Sequence, residues 1–194
     1  MPPFSKKITL ASGSPRRRSL LAEYGYDFEV NVPSEEAECG VCSGETPPEL
    51  VARLAYQKAL DVSTRTGAAL IVACDTVAEC HGRVLGKPRD EQHAREMLKL
   101  LSGREHRVYS GLCIWRVPEE EPAVEVDRTT LRMDELSDAQ IDDYLTTGLW
   151  EGKAGAFGYQ DGFPWLHVIE GSETNVVGLP MELLARMLEK HAAT

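Results

Sequence analysis

An α/β fold on a mixed β-sheet is predicted for this 194-residue chain, and three observations carry it. Strand-like apolar runs alternate with helical patterns from one end to the other, the ordering of α/β proteins. The run ALIVACD, residues 69–75, is continuously apolar over the length of one strand, as a central strand buried on both faces requires. Helix-start signals recur after turns: Pro15 follows a Ser-Gly-Ser break, and Thr46/Glu49 and Ser137/Gln140 have capping-box spacing.

Each element follows from its own residues. KITLA, 7–11, reads as a short buried strand, and RRRSLLAEYG continues from Pro15 as a helix stopping near Gly25. FEVNV, 28–32, alternates as a strand does. After an acidic, cysteine-bearing loop, 33–45, a helix starts at Thr46, carries Leu50, Val51, Leu54 and Leu60, and stops near Gly67. The central strand 69–75 follows, then a hairpin over 77–88 that turns at His81–Gly82. Asp90 caps a helix that ends at Gly103. Strands 106–117 and 124–133 flank a solvated PEEEP turn. A helix begins at Ser137, a glycine-rich loop covers 150–162, and WLHVIEG, 165–171, is a strand. The last helix starts at Pro180 with Met181, Leu184, Met187 and Leu188 on one face. There is no internal repeat and no low-complexity linker, so a single domain spanning 1–194, with at most two lobes, is expected.

Composition narrows the function classes. The chain carries 31 acidic and 21 basic residues, a net charge of -10, which disfavours nucleic-acid polymers as partners. No apolar run approaches the ~20 residues that span a bilayer, and no apolar segment follows Lys6 and Lys7 as in a secretory leader. A cytoplasmic protein with no membrane partner is the expectation. Five cysteines, Cys39, Cys42, Cys74, Cys80 and Cys113, argue against a disulfide framework. The CGVC pair at Cys39 and Cys42 fits a redox pair or half a zinc site, but no second CxxC accompanies it.

Against the acidic background, SGSPRR stands out. A strand entering a Ser-Gly turn and then a helix presents free N–H groups and the positive end of the helix dipole. Ser12 and Ser14 add hydroxyls, and Arg16 and Arg17 add guanidinium forks that match phosphate oxygens. The alternative is an ordinary capped helix with solvated arginines. In VACDT, Asp75 leaves the central strand where α/β proteins place ligands, and can ligate Mg²⁺, take a proton from water or cap a turn. Glu36 and Glu38 offer further hard oxygens, or form a solvated acidic loop. Lys58, Lys87 and Lys153 can each reach a phosphate or lie on the surface, and the Gln160 amide can read a planar base edge.

Taken together, the segments LASGSPRR, VACDTV, GRVLGKPRD, MLKLLSGREHRVYSG, KAGAFGYQ and EGSETNVVGLP resemble the Maf family of nucleotide pyrophosphatases. They match in order and spacing from residue 8 to residue 184. The resemblance implies a twisted mixed sheet with flanking helices and two lobes around an active-site cleft, as in Maf and inosine-triphosphatase-like proteins. It implies hydrolysis of a nucleoside triphosphate to the monophosphate and pyrophosphate with a divalent metal, Mg²⁺ or Mn²⁺. The family's proton acceptor falls on Asp75, with Cys74 where alanine is usual. Its lysines fall on Lys58 and Lys87. Its acidic residue after the second strand falls on Glu36, with Glu35 and Glu38 as alternatives, so Glu36 and Asp75 are the implied metal ligands.

Three positions separate the family's substrate groups, and here they are Arg16, Thr76 and Gln160. That combination resembles the group acting on dTTP and UTP. Hydrolysis of 7-methyl-GTP is the alternative within enzymes, and a non-enzymatic nucleotide-binding regulator of cell division the alternative outside them. AFGYQDGFPWLH departs from the family's usual AYGIQGxGxxFV. A homodimer is compatible with this reading.

Overall fold

The computed structural model describes residues 6–38, 44–67, 69–118 and 121–192. The strands are β1 (Ile8–Ala11), β2 (Phe28–Val30), β3 (Ala69–Cys80), β4 (Arg83–Leu85), β5 (Glu105–Val117), β6 (Ala123–Met133) and β7 (Leu166–Glu170). The helices are α1 (Pro15–Glu23), α2 (Pro47–Ser63), α3 (Glu91–Leu101), α4 (Asp138–Thr146), α5 (Glu173–Val177) and α6 (Met181–Ala192). One open seven-stranded sheet has the order β2-β1-β3-β5-β6-β7, with β4 paired to β3. It is mixed: β1 pairs in parallel with β2 and β3, while β3–β4 and β6–β7 are antiparallel. The α/β fold with a mixed sheet is therefore the observed one. Among the described residues no helix is long and apolar enough to cross a membrane.

The chain divides into two compact units. The first gathers Met1–Asp75, Ser110–Asp127 and Gly178–Thr194. Its α2 lays Leu50, Val51, Leu54, Ala55, Ala59 and Val62 inward, and several of these join Ala11, Ile71, Ala73 and Cys113 in an apolar cluster. The helix approaches β5 at Gly111, where a Cβ would overlap the Val51 carbonyl. Only glycine allows so close a contact between helix and strand.

The second unit gathers Thr76–Tyr109 and Arg128–Val177. Leu98, Leu101, Leu131, Met133, Ile141 and Tyr144 lead its core, with Phe157 and Trp165 from the loop segments packed in. The β3–β4 turn is made by His81 and Gly82, both at positive φ (51° and 76°), as a tight right-twisted hairpin demands.

Two elements differ from expectation. β3 runs on to Cys80, because Val77, Ala78 and Cys80 are buried and Ala78–Cys80 pair with β4. The five-residue α5 was not legible locally, since Thr, Asn and Val are weak helix formers. Tertiary bonds accompany it: buried Asn175 donates from Nδ2 to Val108 O (3.3 Å) and Thr129 Oγ1 (2.9 Å).

Candidate active site

Strand order and direction locate the candidate site. β1 leads through α1 to β2 on one side, and the chain then crosses through α2 to β3 on the other. The carboxyl end of β1 thus lies at a topological switch point, where open α/β sheets bind ligands, beside the middle of β3, which runs on through Asp75 to Cys80. The register Ala11↔Ala73 sets the next residues of both strands, Ser12–Ser14 and Cys74–Asp75, at the same edge.

The β1–α1 turn is built around Ser12. Its Oγ accepts the Ser14 N–H at 3.2 Å and the Arg17 Nη1 at 3.0 Å. Pro15 opens α1, Ser14 makes no side-chain cap, and no acidic residue stands in the first turn. The helix therefore turns a positive end toward this edge without a resident carboxylate. The three arginines part company by helix phase: Arg16 is half-buried, Arg17 is 8% exposed and Arg18 is exposed. Arg17 Nε donates to Gly178 O at 2.7 Å. The Cys74 thiol donates to the same carbonyl at 3.4 Å. Gly178, at φ 125°, thus ties α1 and the middle of β3 to the segment before α6. The GLP motif holds this residue, but its partners lie more than a hundred residues away in sequence.

Lys58 is the polar member of the buried stripe of α2, with its side chain 5% exposed, and Nζ reaches Asp75 Oδ1 at 2.6 Å. A lysine among Leu54, Ala55, Ala59 and Val62 is the sequence signal for a buried charge that needs a partner. The ion pair brings two of the expected catalytic residues together at the edge where the β1–α1 turn lies.

Glu35 and Glu36 sit exposed on a 3₁₀ turn, Glu35–Glu38, beside α2. Asp61 of α2 holds the approach to this turn by accepting the Ser34 N–H (3.0 Å) and hydroxyl (2.7 Å), which lower its pKa together with Arg65. Glu36 lines a shallow cavity with Ser34, Ala37, Gln57, Leu60 and Asp61. Among the described residues no three His, Cys, Asp or Glu side chains converge as a preformed metal cage. Cys39 and Cys42, and the Glu38 side chain, lie outside the described residues. Cys74, Cys80 and Cys113 are buried free thiols, and burial pushes Cys113 up to about 12.

The remaining expected site residues belong to the second unit. Thr76 is half-buried on β3, Lys87 is exposed just after β4, and Gln160 is exposed on the 3₁₀ turn Tyr159–Asp161. The GKP and glycine-rich segments are joined directly, Gly155 N donating to Gly86 O at 3.1 Å. Gly155 lies at φ 72°, and a Cβ there would meet the Phe157 ring at 2.8 Å. Lys153 pairs with Asp161 within its own loop.

The family model for Maf-like protein matches residues 7–191. A dTTP/UTP pyrophosphatase of Rhodopirellula baltica is 56% identical over 188 residues, covering 96% of this chain and 83% of that protein. The dTTP/UTP pyrophosphatase of Clostridioides difficile is 38% identical over 185 residues, covering 95% and 94%. Among solved structures, the Ham1 protein of Staphylococcus aureus superposes with a TM-score of 0.52 at 16% identity, covering 96% of this chain and all of that one. A HAM1 protein of Coxiella burnetii gives 0.50 at 14% identity with the same coverage.

Proposed function

The chain belongs to the Maf-like protein family, and from that membership we propose that it hydrolyses nucleoside triphosphates to the monophosphate and pyrophosphate, with dTTP and UTP preferred. The observation that carries this reading is the Lys58–Asp75 pair at the edge where β1 ends beside the middle of β3 and α1 begins. The relatives' names, dTTP/UTP pyrophosphatase, support the substrate class.

In this reading the triphosphate binds the Ser12–Ser14 turn, the first N–H groups of α1 and Arg16. Asp75 receives the proton of a water that attacks the α-phosphorus, and the α–β anhydride bond breaks to release pyrophosphate. Lys58 holds the Asp75 carboxylate in place and, with Lys87 and Arg16, offsets charge growing on the leaving group. Arg17 keeps the turn in shape through Ser12 and Gly178. Thr76 and Gln160 select the base, the Gln160 amide bonding a pyrimidine N–H and its neighbouring carbonyl together.

The donor set suits Mg²⁺ or Mn²⁺. The Asp75 carboxylate and the exposed Glu36 are hard oxygen donors, the softer Cys74 is engaged with Gly178, and one or two carboxylates plus phosphate oxygens are what Mg²⁺ takes. Such an ion, when bound, neutralises phosphate charge and polarises the α-phosphoryl group. The enzyme would act on the cytoplasmic nucleotide pool.

The test is a panel of dTTP, UTP, CTP, GTP, ATP and 7-methyl-GTP with Mg²⁺ or Mn²⁺, scored for pyrophosphate. Release should be fastest from dTTP and UTP, and Asp75→Asn should lower turnover by ~10² or more. Release of orthophosphate instead, or near wild-type turnover in folded Asp75→Asn, refutes the reading.

A further inference from the structure

We propose that the buried Lys153–Asp161 ion pair, together with the Tyr159–Glu173 hydrogen bond, is a positioning clamp that fixes Gln160 for base selection. The inference rests on the reading of Gln160 as the residue that meets the base. The loop from Lys153 to Gly162 is two short 3₁₀ turns, Ala154–Ala156 and Tyr159–Asp161. The first is tied to Gly86 and packed through Phe157, whereas the turn that carries Gln160 is closed by the local bonds Asp161 N–H to Gly158 O and Gly162 N–H to Tyr159 O. Bonds this local give the Gln160 turn no reason to hold one position.

Three contacts supply that reason. Lys153 and Asp161 pair with side chains 9% and 7% exposed. The pair runs so close beneath Gly158 that a Cβ there would lie 2.6 Å from both Lys153 Nζ and Asp161 Oδ2. The Tyr144 hydroxyl of α4 also reaches Asp161 Oδ2, at 3.5 Å. On the other side of Gln160, Tyr159 Oη donates to Glu173 Oε1 of α5 at 2.8 Å. Gln160 is therefore the exposed residue between two anchored neighbours, one tied to α5 and the other to Lys153 and α4.

A purely stabilising role would be filled as well by apolar residues, because burying two charges consumes most of what their attraction returns. Fixing a single geometry is the better-attested use of such a pair. A glutamine amide must also be held in place if it is to bond two adjacent groups on a base, and discrimination by hydrogen bonding is lost when the partner is loose.

Steady-state kinetics on UTP and GTP separate the possibilities. Asp161→Asn removes the charge while keeping the shape. It should lower the UTP-over-GTP ratio of kcat/KM about tenfold, through a higher KM for UTP, with GTP hardly affected. Adding Gln160→Ala to Asp161→Asn should lower the ratio no further, because both changes act on one contact. Tyr159→Phe, which deletes only the second anchor, should shift the ratio in the same direction and replaces Asp161→Asn if that variant does not fold. An unchanged ratio in the folded anchor variant, or a parallel loss on both nucleotides, overturns the clamp while Gln160→Ala alone still lowers the ratio. If Gln160→Ala itself leaves the ratio unchanged, the base-reading role fails and the clamp with it.

Discussion

Arg16 and Arg17 are adjacent in sequence but differ in burial, Arg16 half-buried and Arg17 8% exposed. Two extra arginine bonds to buried acceptors, Gly178 O and Ser12 Oγ, make Arg17 part of the frame. Arg17→Ala should destabilise the protein by about 3 kcal/mol, the scale for losing charged hydrogen bonds, measured as a lower urea midpoint. Arg16→Ala should weaken triphosphate use. The run RRR suggests an anion site, but not which arginine faces inward, because that depends on a carbonyl at residue 178. His106 gives a pH test. Its ring is 2% exposed. Burial pushes its pKa down to about 4, with a backbone hydrogen bond at Arg104 and then the charge of Glu79 opposing. The unfolded chain binds the proton near pH 6.5, so between about 6.5 and 4 the unfolded state holds more protons and stability falls as pH falls. That loss amounts to about 3 kcal/mol across the window. His106→Leu should flatten the fall, as read from urea midpoints at pH 7 and pH 5; an equally steep fall in the variant refutes the assignment to His106.

Helix and strand identities were legible wherever local chemistry is strong. The Thr46/Glu49 and Ser137/Gln140 boxes form as spaced: Glu49 accepts the Thr46 N–H at 2.9 Å, and Gln140 accepts the Ser137 N–H at 3.0 Å. Asp90 caps α3 by accepting the His93 N–H at 2.7 Å. The length of β3 and the existence of α5 were not legible, because both depend on partners distant in sequence. Gly111 is of the same kind: within a strand pattern it signals close approach, without saying to what. Since a Cβ there meets the backbone of α2 rather than a movable side chain, Gly111→Ala should cost about 3 kcal/mol or more, at the upper end for overpacking. A thermal midpoint within a degree or two of wild type would contradict this close packing.

At the scale of the whole chain, a net charge of -10 is compatible with a local anion site, because charge is distributed by position. Ser12, Arg16, Arg17, Lys58 and Asp75 fall in one compact unit, and Thr76, Lys87, Lys153 and Gln160 in the other. The candidate residues were recognisable as types in sequence: a serine-glycine turn before arginines, a lysine on an apolar stripe, an aspartate closing an apolar run, though the strand itself continues past it to Cys80. Their assembly was not, since it requires the parallel β1–β3 register and the α2 packing that aims Lys58 at Asp75. Where the water attacks is settled by hydrolysing UTP in ¹⁸O-labelled water and weighing the products by mass spectrometry. Attack on the α-phosphorus with Asp75 as proton acceptor places one ¹⁸O in UMP and none in pyrophosphate, at a rate lost in Asp75→Asn. Label in pyrophosphate, or UDP and labelled orthophosphate as products, would contradict it.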